Sequence, residues 1–173
     1  TLIVAPLSVV PVWPAEFEKH WQDERRPCIW LPQGDRTVAA KAAALGIWLA
    51  QNADHGADSV PVLNYESAWR EPMAETLLSF PWDLVVLDES QRAKAPGGKA
   101  SRFLARLRAR ASVRLCLSGT PGPHSWLDSY AQARFLDPSV FGTSFTSFKA
   151  RYAIMGGYAV NGRPVQIRGW QNM

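Results

Sequence analysis

Five short apolar runs are spread along the chain, and each has the length of a buried β-strand. They are Leu2–Ala5, Cys28–Leu31, Val60–Leu63, Leu84–Leu87 and Val113–Leu117. Within these runs the apolar residues mostly follow one another instead of alternating with polar ones. This pattern is typical of strands that are covered on both faces of a parallel sheet.

Segments with apolar residues at helical spacing lie between the runs. They are Ala15–Gln22, Thr37–Gln51, Glu71–Ser79, Ser101–Arg110 and Ser125–Phe135. Asp35 is the predicted N-cap of the second segment, Pro72 lies in the first turn of the third, and Ser101 is the predicted cap of the fourth. The alternation of strands with helices predicts an α/β fold, in which right-handed crossovers place helices on both faces of a parallel sheet.

The alternation ends at Pro138. Beyond it, aromatic residues anchor a stretch that is turn-like or forms short helices: Phe141, Phe145, Phe148 and Tyr152. Glycine-containing turns at Gly156-Gly157 and Asn161-Gly162 then predict a β-hairpin. Its expected arms are Tyr158–Val160 and Val165–Ile167.

Composition places the chain among soluble globular domains, because 47% of its 173 residues are hydrophobic and 20% are charged. No apolar stretch has the length of a membrane span and no signal peptide is recognisable, so we expect no membrane partner. Cys28 and Cys116 lie in apolar runs, which predicts buried free thiols in a reducing compartment. The three histidines are isolated, and no Cys/His metal site is predicted.

The net charge of +4 hides an uneven distribution of charged residues. Residues 1–90 carry 6 Lys and Arg against 13 Asp and Glu, whereas residues 91–173 carry 13 against 2. Eight basic residues and no acidic ones lie between Arg92 and Arg114. Such a stretch can neutralise the phosphates of a nucleic acid. It is also typical of a solvated arginine-rich helix face, which is the favoured interpretation of this stretch taken alone.

Two adjacent carboxylates, Asp88 and Glu89, follow the apolar run Leu84–Leu87. Ligands of parallel α/β sheets bind at the carboxyl ends of the strands. Two acids at such an end suit Mg²⁺ and a polarised water, as nucleoside triphosphate hydrolysis requires. Acidic residues also cap the helices that follow strands, so the pair alone leaves both interpretations open.

A second apolar run leads into Ser118-Gly119-Thr120-Pro121. Together with Asp88-Glu89-Ser90-Gln91-Arg92-Ala93-Lys94, this segment resembles the Walker B and Ser/Thr-Gly-Thr elements of superfamily 2 helicase-like motors, in particular those of the SNF2 (Swi2/Snf2) family. Further segments are similar to other blocks of that family: Thr1–Trp13 to motif Ia, Asn64-Tyr65-Glu66 to motif Ic, and Trp126-Leu127-Asp128 with Arg134–Pro138 and Phe141-Gly142 to the block that follows Ser-Gly-Thr. Four ordered blocks make the resemblance specific.

The resemblance implies that residues 1–142 form most of a first RecA-like motor lobe, a P-loop NTPase-type parallel sheet flanked by helices, and that residues 143–173 extend it. In this family a phosphate-binding loop precedes motif Ia, and the chain has no Gly-x-x-x-x-Gly-Lys-Thr sequence. We therefore expect a sheet that is incomplete at its N-terminal edge, with the loop and a second RecA-like lobe supplied by the intact protein. The fragment alone is expected to be inactive.

The resemblance also implies roles for individual residues. Asp88 would help to hold the Mg²⁺ of bound ATP, and Glu89 would orient or activate the attacking water. Gln91, where many relatives have histidine, would hydrogen-bond to Ser118 or Thr120 beside Gly119 and link hydrolysis to motion. Contacts to double-stranded DNA are implied for Pro6, Leu7, Ser8, Asn64, Tyr65, Arg92 and Lys94. A turn or helix cap is the structural alternative for the Ser, Thr and Asn residues.

Three functions remain open on the sequence alone. The first is a part of an SNF2-like, ATP-dependent translocase or remodeller of double-stranded DNA. The alternatives are a conventional superfamily 2 helicase or restriction-system motor, and a non-catalytic DNA-binding or scaffolding remnant. We expect a cytoplasmic, nucleoid-associated location if the protein is bacterial or phage-encoded, and a nuclear one if it is eukaryotic.

Overall fold

A five-stranded parallel sheet forms the centre of the computed structural model, which describes residues 1–34, 37–52, 58–93, 97–120, 122, 126–160 and 163–172. The strands run in the order β2-β3-β1-β4-β5 across the sheet. They are β1 (Leu2–Ala5), β2 (Cys28–Trp30), β3 (Ser59–Asn64), β4 (Trp82–Leu87) and β5 (Ala111–Cys116). Each overlaps a predicted run, and the predicted α/β fold is confirmed.

Eight helices connect or follow these strands within the described ranges. They are α1 (Trp13–His20), α2 (Val38–Asn52), α3 (Tyr65–Ala68), α4 (Met73–Ser79), α5 (Lys99–Leu107), α6 (Leu127–Leu136), α7 (Pro138–Phe141) and α8 (Phe145–Tyr152). Short 3₁₀ turns precede α1 and follow β4 and α5, at Val10–Val12, Ser90–Ala93 and Arg108–Arg110.

Of the predicted helix caps, one is wrong and another is not tested by the structure. Asp35 lies outside the described residues, and the hydroxyl oxygen of Thr37 accepts a hydrogen bond from the Ala40 N–H at 3.2 Å where α2 begins. The prediction for Ser101 is wrong, because α5 begins at Lys99 and Ser101 is buried inside it. Gly98 takes the N-cap position with an extended backbone, which lets the helix begin earlier than the first hydroxyl residue.

Apolar side chains cover the sheet on both faces, because successive residues of a strand point to opposite sides. On one face, Leu2, Val85 and Leu87 join a large core with residues of α2, α4, α5 and α6. On the other face, Ile3 and Val86 belong to a smaller core that packs against the Val10–Val12 turn and α1. The sheet is therefore buried deeply at β1, in the middle of the strand order.

One end of the smaller core is uncovered. Val113 and Leu115 of the edge strand β5 are 59% and 43% exposed, although they are paired in register with Leu84 and Val86 of β4. Within the described part of the chain, β5 has no strand on its outer side. A continuous apolar strip and one row of backbone hydrogen-bonding groups thus face outward.

Helix α6 and the residues after it form an aromatic cluster, and a hairpin follows. Tyr130, Phe148 and Tyr152 are buried together, with Phe141 and Phe145 packed against them. The antiparallel strands β6 (Ala153–Val160) and β7 (Arg163–Trp170) follow α8. A hairpin is thus present where the glycines predicted one, but its arms are longer, because the pairing begins directly after α8, at Ala153 opposite Trp170.

Tyr130 provides a test of the packing in this cluster. Its ring is fully buried, at 5.0 Å from the ring of Phe148, and its hydroxyl has no hydrogen-bond partner among the described residues. We expect Tyr130→Phe to raise the free energy of unfolding by about 1 kcal/mol, because it removes an unpaired buried polar group. Tyr65→Phe is the matched control with the opposite sign, since the Tyr65 hydroxyl donates to the Asp88 carbonyl at 2.9 Å. Urea unfolding of the two variants checks this, and a destabilised Tyr130→Phe protein would contradict it.

Candidate functional site

The candidate site lies at the carboxyl ends of the central strands, where backbone hydrogen bonds continue past the last strand residues. The Asp88 N–H donates to the carbonyl of Val4 at 2.8 Å. The Leu117 N–H donates to the carbonyl of Leu87 at 2.9 Å, and the Ser90 N–H donates to the carbonyl of Leu117 at 2.9 Å. The segments after β4 and β5 are therefore held side by side, each in a fixed register.

Asp88 is oriented by residues of two helices. The indole N–H of Trp13 in α1 donates to the Oδ2 of Asp88 at 3.2 Å. The hydroxyl of Tyr65 in α3 donates to its main-chain carbonyl. Burial raises the pKa of Tyr65, so the hydroxyl stays protonated and keeps donating. Asp88 thus presents a half-buried carboxylate with one oxygen engaged by the protein.

Glu89 has an unusual backbone conformation. Its φ of 49° lies in the left-handed region, which non-glycine residues rarely adopt because the Cβ crowds the backbone. The 3₁₀ turn that follows is anchored by Ser90, whose buried hydroxyl donates to Gln132 Oε1 at 2.8 Å. Strained residues of this kind persist where the surrounding structure fixes them, and they cluster at functional sites.

The strain at Glu89 predicts an order of stabilities. We expect the Glu89→Gly protein to be more stable than the Glu89→Ala protein by about 1 kcal/mol, because only glycine adopts a φ of 49° without a Cβ clash. At an ordinary position this order is reversed. Urea unfolding of the two variants measures the difference. Glu66→Gly and Glu66→Ala, made in α3, are the control pair, and there alanine should be the more stable.

Side chains form a continuous hydrogen-bonded path from Glu89 to the loop after β5. The amide nitrogen of Gln91 donates to Glu89 Oε2 at 2.6 Å, and the Ser118 hydroxyl donates to Gln91 Oε1 at 2.7 Å. The Thr120 N–H donates to the Ser118 hydroxyl oxygen at 3.1 Å. The predicted contact between Gln91 and Ser118 is therefore present, and Thr120 joins the path through Ser118. A Cβ at Gly119 would meet no atom within 4 Å, so crowding does not explain this glycine.

The loop after β1 presents two of the residues with a predicted DNA contact. Leu7 is 67% exposed and Ser8 is exposed as well, whereas Pro6 is buried. The Pro6 carbonyl accepts hydrogen bonds from the N–H groups of Val9 and Val10 at 2.9 and 3.1 Å, which closes the loop into a tight turn. Leu7 and Ser8 are thus held on the surface at the carboxyl end of β1.

The other predicted DNA contacts differ in their accessibility. Arg92 is half exposed and forms an ion pair with Glu66 at 3.4 Å, and Lys94 lies outside the described residues. Asn64 and Tyr65 are only 7% and 6% exposed. The Asn64 amide donates to Glu66 Oε2 at 2.9 Å, and this bond is the main cause of the lowered pKa of Glu66. A direct contact of the Asn64 and Tyr65 side chains with a duplex does not fit this burial.

Sequence reasoning did not identify Trp13, Tyr65 or Gln132 as positioning groups for the acidic segment. Trp13 is the last residue of the segment that resembles motif Ia. Its partner Asp88 lies 75 residues away, so no local pattern indicates the contact between them. Gln132 lies inside α6 and carries no local signal that it contacts Ser90. Cys116 lies close by as a free thiol, and burial raises its pKa to about 11, which keeps it protonated and unsuited to nucleophilic chemistry near neutral pH.

The candidate site offers few ligands for Mg²⁺, but the carboxylate of Asp88 is of the type that Mg²⁺ prefers. Among the described residues no group of three or more His, Cys, Asp or Glu side chains could hold a metal ion. Magnesium is usually held by one or two carboxylates together with water and substrate phosphates, so it does not require such a group. The half-buried carboxylate of Asp88, with one oxygen not engaged by Trp13, fits this mode of binding. The fit therefore depends on a nucleotide that brings its own phosphates.

None of the helices in the described ranges is both long enough and apolar enough to span a membrane.

Comparison with known proteins places these features in a family context. The sequence model of one protein family, the SNF2-related domain, matches residues 1–157 of the chain. Helicase ssl-1 of Caenorhabditis elegans is 31% identical over 148 residues, which cover 86% of this chain and 6% of that protein. ATP-dependent helicase brm of Drosophila melanogaster is 30% identical over 90% of this chain and 9% of its own length. DNA repair and recombination protein RAD54B of Mus musculus is 28% identical over 88% of this chain and 15% of its own length.

A solved structure supports the fold. The Sulfolobus solfataricus SWI2/SNF2 ATPase core in complex with dsDNA matches with a TM-score of 0.65 and 24% identity, over 88% of this chain and 28% of that chain. The curated relatives are much longer than the chain, which covers between 6% and 15% of their lengths.

Proposed function

The chain belongs to the SNF2-related domain family, and from this premise we propose that it forms most of the first motor lobe of an ATPase that moves along double-stranded DNA. The observation that carries the proposal is the hydrogen-bonded path from Glu89 through Gln91 to Ser118. It joins an acidic pair at the end of one strand to the loop of the neighbouring strand. A structural cap would not need that connection.

Asp88 and Glu89 have separate tasks in this proposal. Asp88 would help to hold Mg²⁺ on the phosphates of ATP, and the ion would supply charge neutralisation for phosphoryl transfer. Trp13 and Tyr65 keep the Asp88 carboxylate and main chain in place. Glu89 orients the attacking water and accepts its proton, as a carboxylate at this position can. The hydrogen bond from the Gln91 amide holds that carboxylate in place.

Gln91 couples the hydrolysis site to the loop after β5. Its amide donates to Glu89 and accepts from Ser118, so a change in the charge or position of Glu89 alters both bonds of the same planar group. The Gln91 amide does not titrate. The coupling therefore does not depend on pH near neutrality, whereas a histidine at this position would make it pH-dependent. We expect the phosphate-binding loop and a second RecA-like lobe to come from other parts of the intact protein.

The proposal is tested by ATP turnover of the intact protein with and without duplex DNA. We expect stimulation by duplex DNA, displacement of a third strand from a triplex, and no separation of the two duplex strands. Strand separation would favour the conventional superfamily 2 helicase. Duplex binding without any ATP turnover would favour the non-catalytic DNA-binding or scaffolding protein, and would contradict the proposal.

A further inference from the structure

A basic cleft lies between the end of α3 and helix α5, away from the acidic pair. Its cavity has a volume of about 630 Å³, and we define the basic cleft by Trp69, Arg70, Lys99, Arg102, Phe103 and Arg106. We propose that the basic cleft binds the sugar–phosphate backbone of double-stranded DNA, in addition to the contacts at the strand ends. This inference rests on the proposed function, because it extends the path of the same duplex over the lobe.

Trp69 holds two cationic groups at one wall of the basic cleft. The Arg70 guanidinium lies 5.4 Å and the Lys99 ammonium 5.8 Å from the centre of the indole ring. Attraction to the ring offsets part of the repulsion between the two cations. The indole is half buried and packs against the large core, so it is a firm support for both groups. Cations placed in advance in this way lose little entropy when an anion binds.

Within the described ranges, the cations of α5 have no carboxylate partners. Among the described residues, none of Lys99, Arg102 and Arg106 forms an ion pair. The acidic residue of the cavity wall is Glu71, and one of its carboxylate oxygens accepts a hydrogen bond from the Glu75 N–H at 2.9 Å. The positive charge of the cleft is therefore available to an external anion.

The spacing of these cations suits a chain of phosphates. Lys99, Arg102 and Arg106 are exposed on one face of α5, whereas Phe103 and Leu107 are buried on the other. With a rise of about 1.5 Å per residue, the three cations span about 10 Å along the helix. Successive phosphates of one DNA strand rise by about 3.4 Å along the duplex axis, so a row of this length laid along that axis covers about three such steps.

The position of the basic cleft favours DNA over an acidic protein segment. Helix α5 connects β4 to β5 in a parallel sheet, so Lys99 lies toward the strand ends and Arg106 toward the opposite edge. The row of cations thus begins beside the edge at which a duplex is proposed to bind. Protein partners are usually anchored by exposed aromatic and apolar groups. In the basic cleft Phe103 is only 5% exposed, and the half-buried indole of Trp69 already has Arg70 and Lys99 over its ring.

The double variant Arg102→Gln/Arg106→Gln of the intact protein tests the proposal. The probe is a fluorescein-labelled duplex of mixed sequence, and its binding constant is measured by anisotropy over a series of salt concentrations. We expect the slope of log K against log [salt] to become shallower by about 2, since each lost phosphate contact lowers it by about 1. Arg102→Lys/Arg106→Lys, which keeps the charge, should retain the slope of the unmodified protein.

The matched control is Arg25→Gln/Arg26→Gln. It removes the same charge from exposed residues between α1 and β2, on the side of the sheet that carries the smaller core, where Arg26 pairs with Glu18. This control should leave the salt slope unchanged. A slope that is equally unchanged in Arg102→Gln/Arg106→Gln would overturn the proposal.

Two further results separate the possible failures. If the cleft variant lost binding of labelled poly-glutamate but kept its DNA slope, the basic cleft would belong to an acidic protein partner and the inference would be wrong. Stimulation of ATP turnover by duplex DNA in the unmodified protein tests the proposed function by itself. Stimulation together with an unchanged slope in the cleft variant would reject only the inference about the cleft.

Discussion

Replacing Glu89 with glutamine is expected to lower the DNA-stimulated ATPase rate of the intact protein by a factor of about 10²–10⁴, with duplex binding unchanged. Glutamine has the shape of glutamate, and its carbonyl oxygen can still accept the hydrogen bond from the Gln91 amide that Glu89 accepts at 2.6 Å. It cannot take a proton from the attacking water. The variant therefore removes the chemical function of the residue while it preserves the path toward Ser118.

Steady-state ATP turnover and fluorescence anisotropy with duplex DNA measure the two properties separately. Glu75→Gln, at an exposed position in α4, removes one acidic group away from the site and should change neither. A Glu89→Gln protein with undiminished turnover would show that Glu89 is not the residue that acts on water, and the assignment of the acidic pair would have to be abandoned.

The second large effect is expected for Ser118→Ala, which should reduce movement along DNA by about tenfold or more while ATP turnover changes little. The Ser118 hydroxyl donates to Gln91 and accepts from the Thr120 N–H, at 2.7 and 3.1 Å. Alanine removes both bonds and leaves the Glu89–Gln91 contact in place. Hydrolysis then proceeds, but its effect no longer reaches the loop after β5.

Triplex displacement and ATP turnover, measured in the same reaction, give the number of ATP molecules used per displacement. Gln91→Ala should show the same uncoupling, and the Gln91→Ala/Ser118→Ala double variant should be no worse than either single variant, because both act on one path. Ser112→Ala changes an exposed serine of β5, the strand before this loop, and should behave like the unmodified protein. Additive losses in the double variant would contradict a single path.

Much of the fold could be predicted from the sequence, because its strands are continuous apolar runs and its helices carry a clear apolar stripe. Helix α5 shows this well: the exposed Arg102 and Arg106 lie on one face and the buried Phe103 and Leu107 on the other, as apolar residues at helical spacing predict. The ends of the elements were less predictable, since they depend on local caps. The early start of α5 at Gly98 and the length of the β6–β7 hairpin are examples.

The candidate site was predictable only where its residues are adjacent to strand ends. The placement of Asp88 follows from the apolar run before it, and the placement of Ser118, the partner of Gln91, follows from the next run. The hydrogen bond from Trp13 and the contact between Ser90 and Gln132 join residues 75 and 42 positions apart, so no local pattern encodes them. The burial of Asn64 and Tyr65 likewise depends on tertiary packing. Instead of lying on the surface as the predicted DNA contacts require, their side chains donate hydrogen bonds to Glu66 and to the Asp88 carbonyl.

The uncovered side of β5 bears on how this lobe behaves at high protein concentration. Val113 and Leu115 are exposed apolar side chains on an edge strand whose outer backbone N–H and C=O groups are not paired with another strand among the described residues. Edge strands of separate molecules can pair through such groups. In any preparation that leaves this edge uncovered, we therefore expect these two side chains to favour self-association and to lower solubility. Ser118, beyond the carboxyl end of β5, is spatially separate, so the tendency to self-associate and the capacity for coupling can be changed independently.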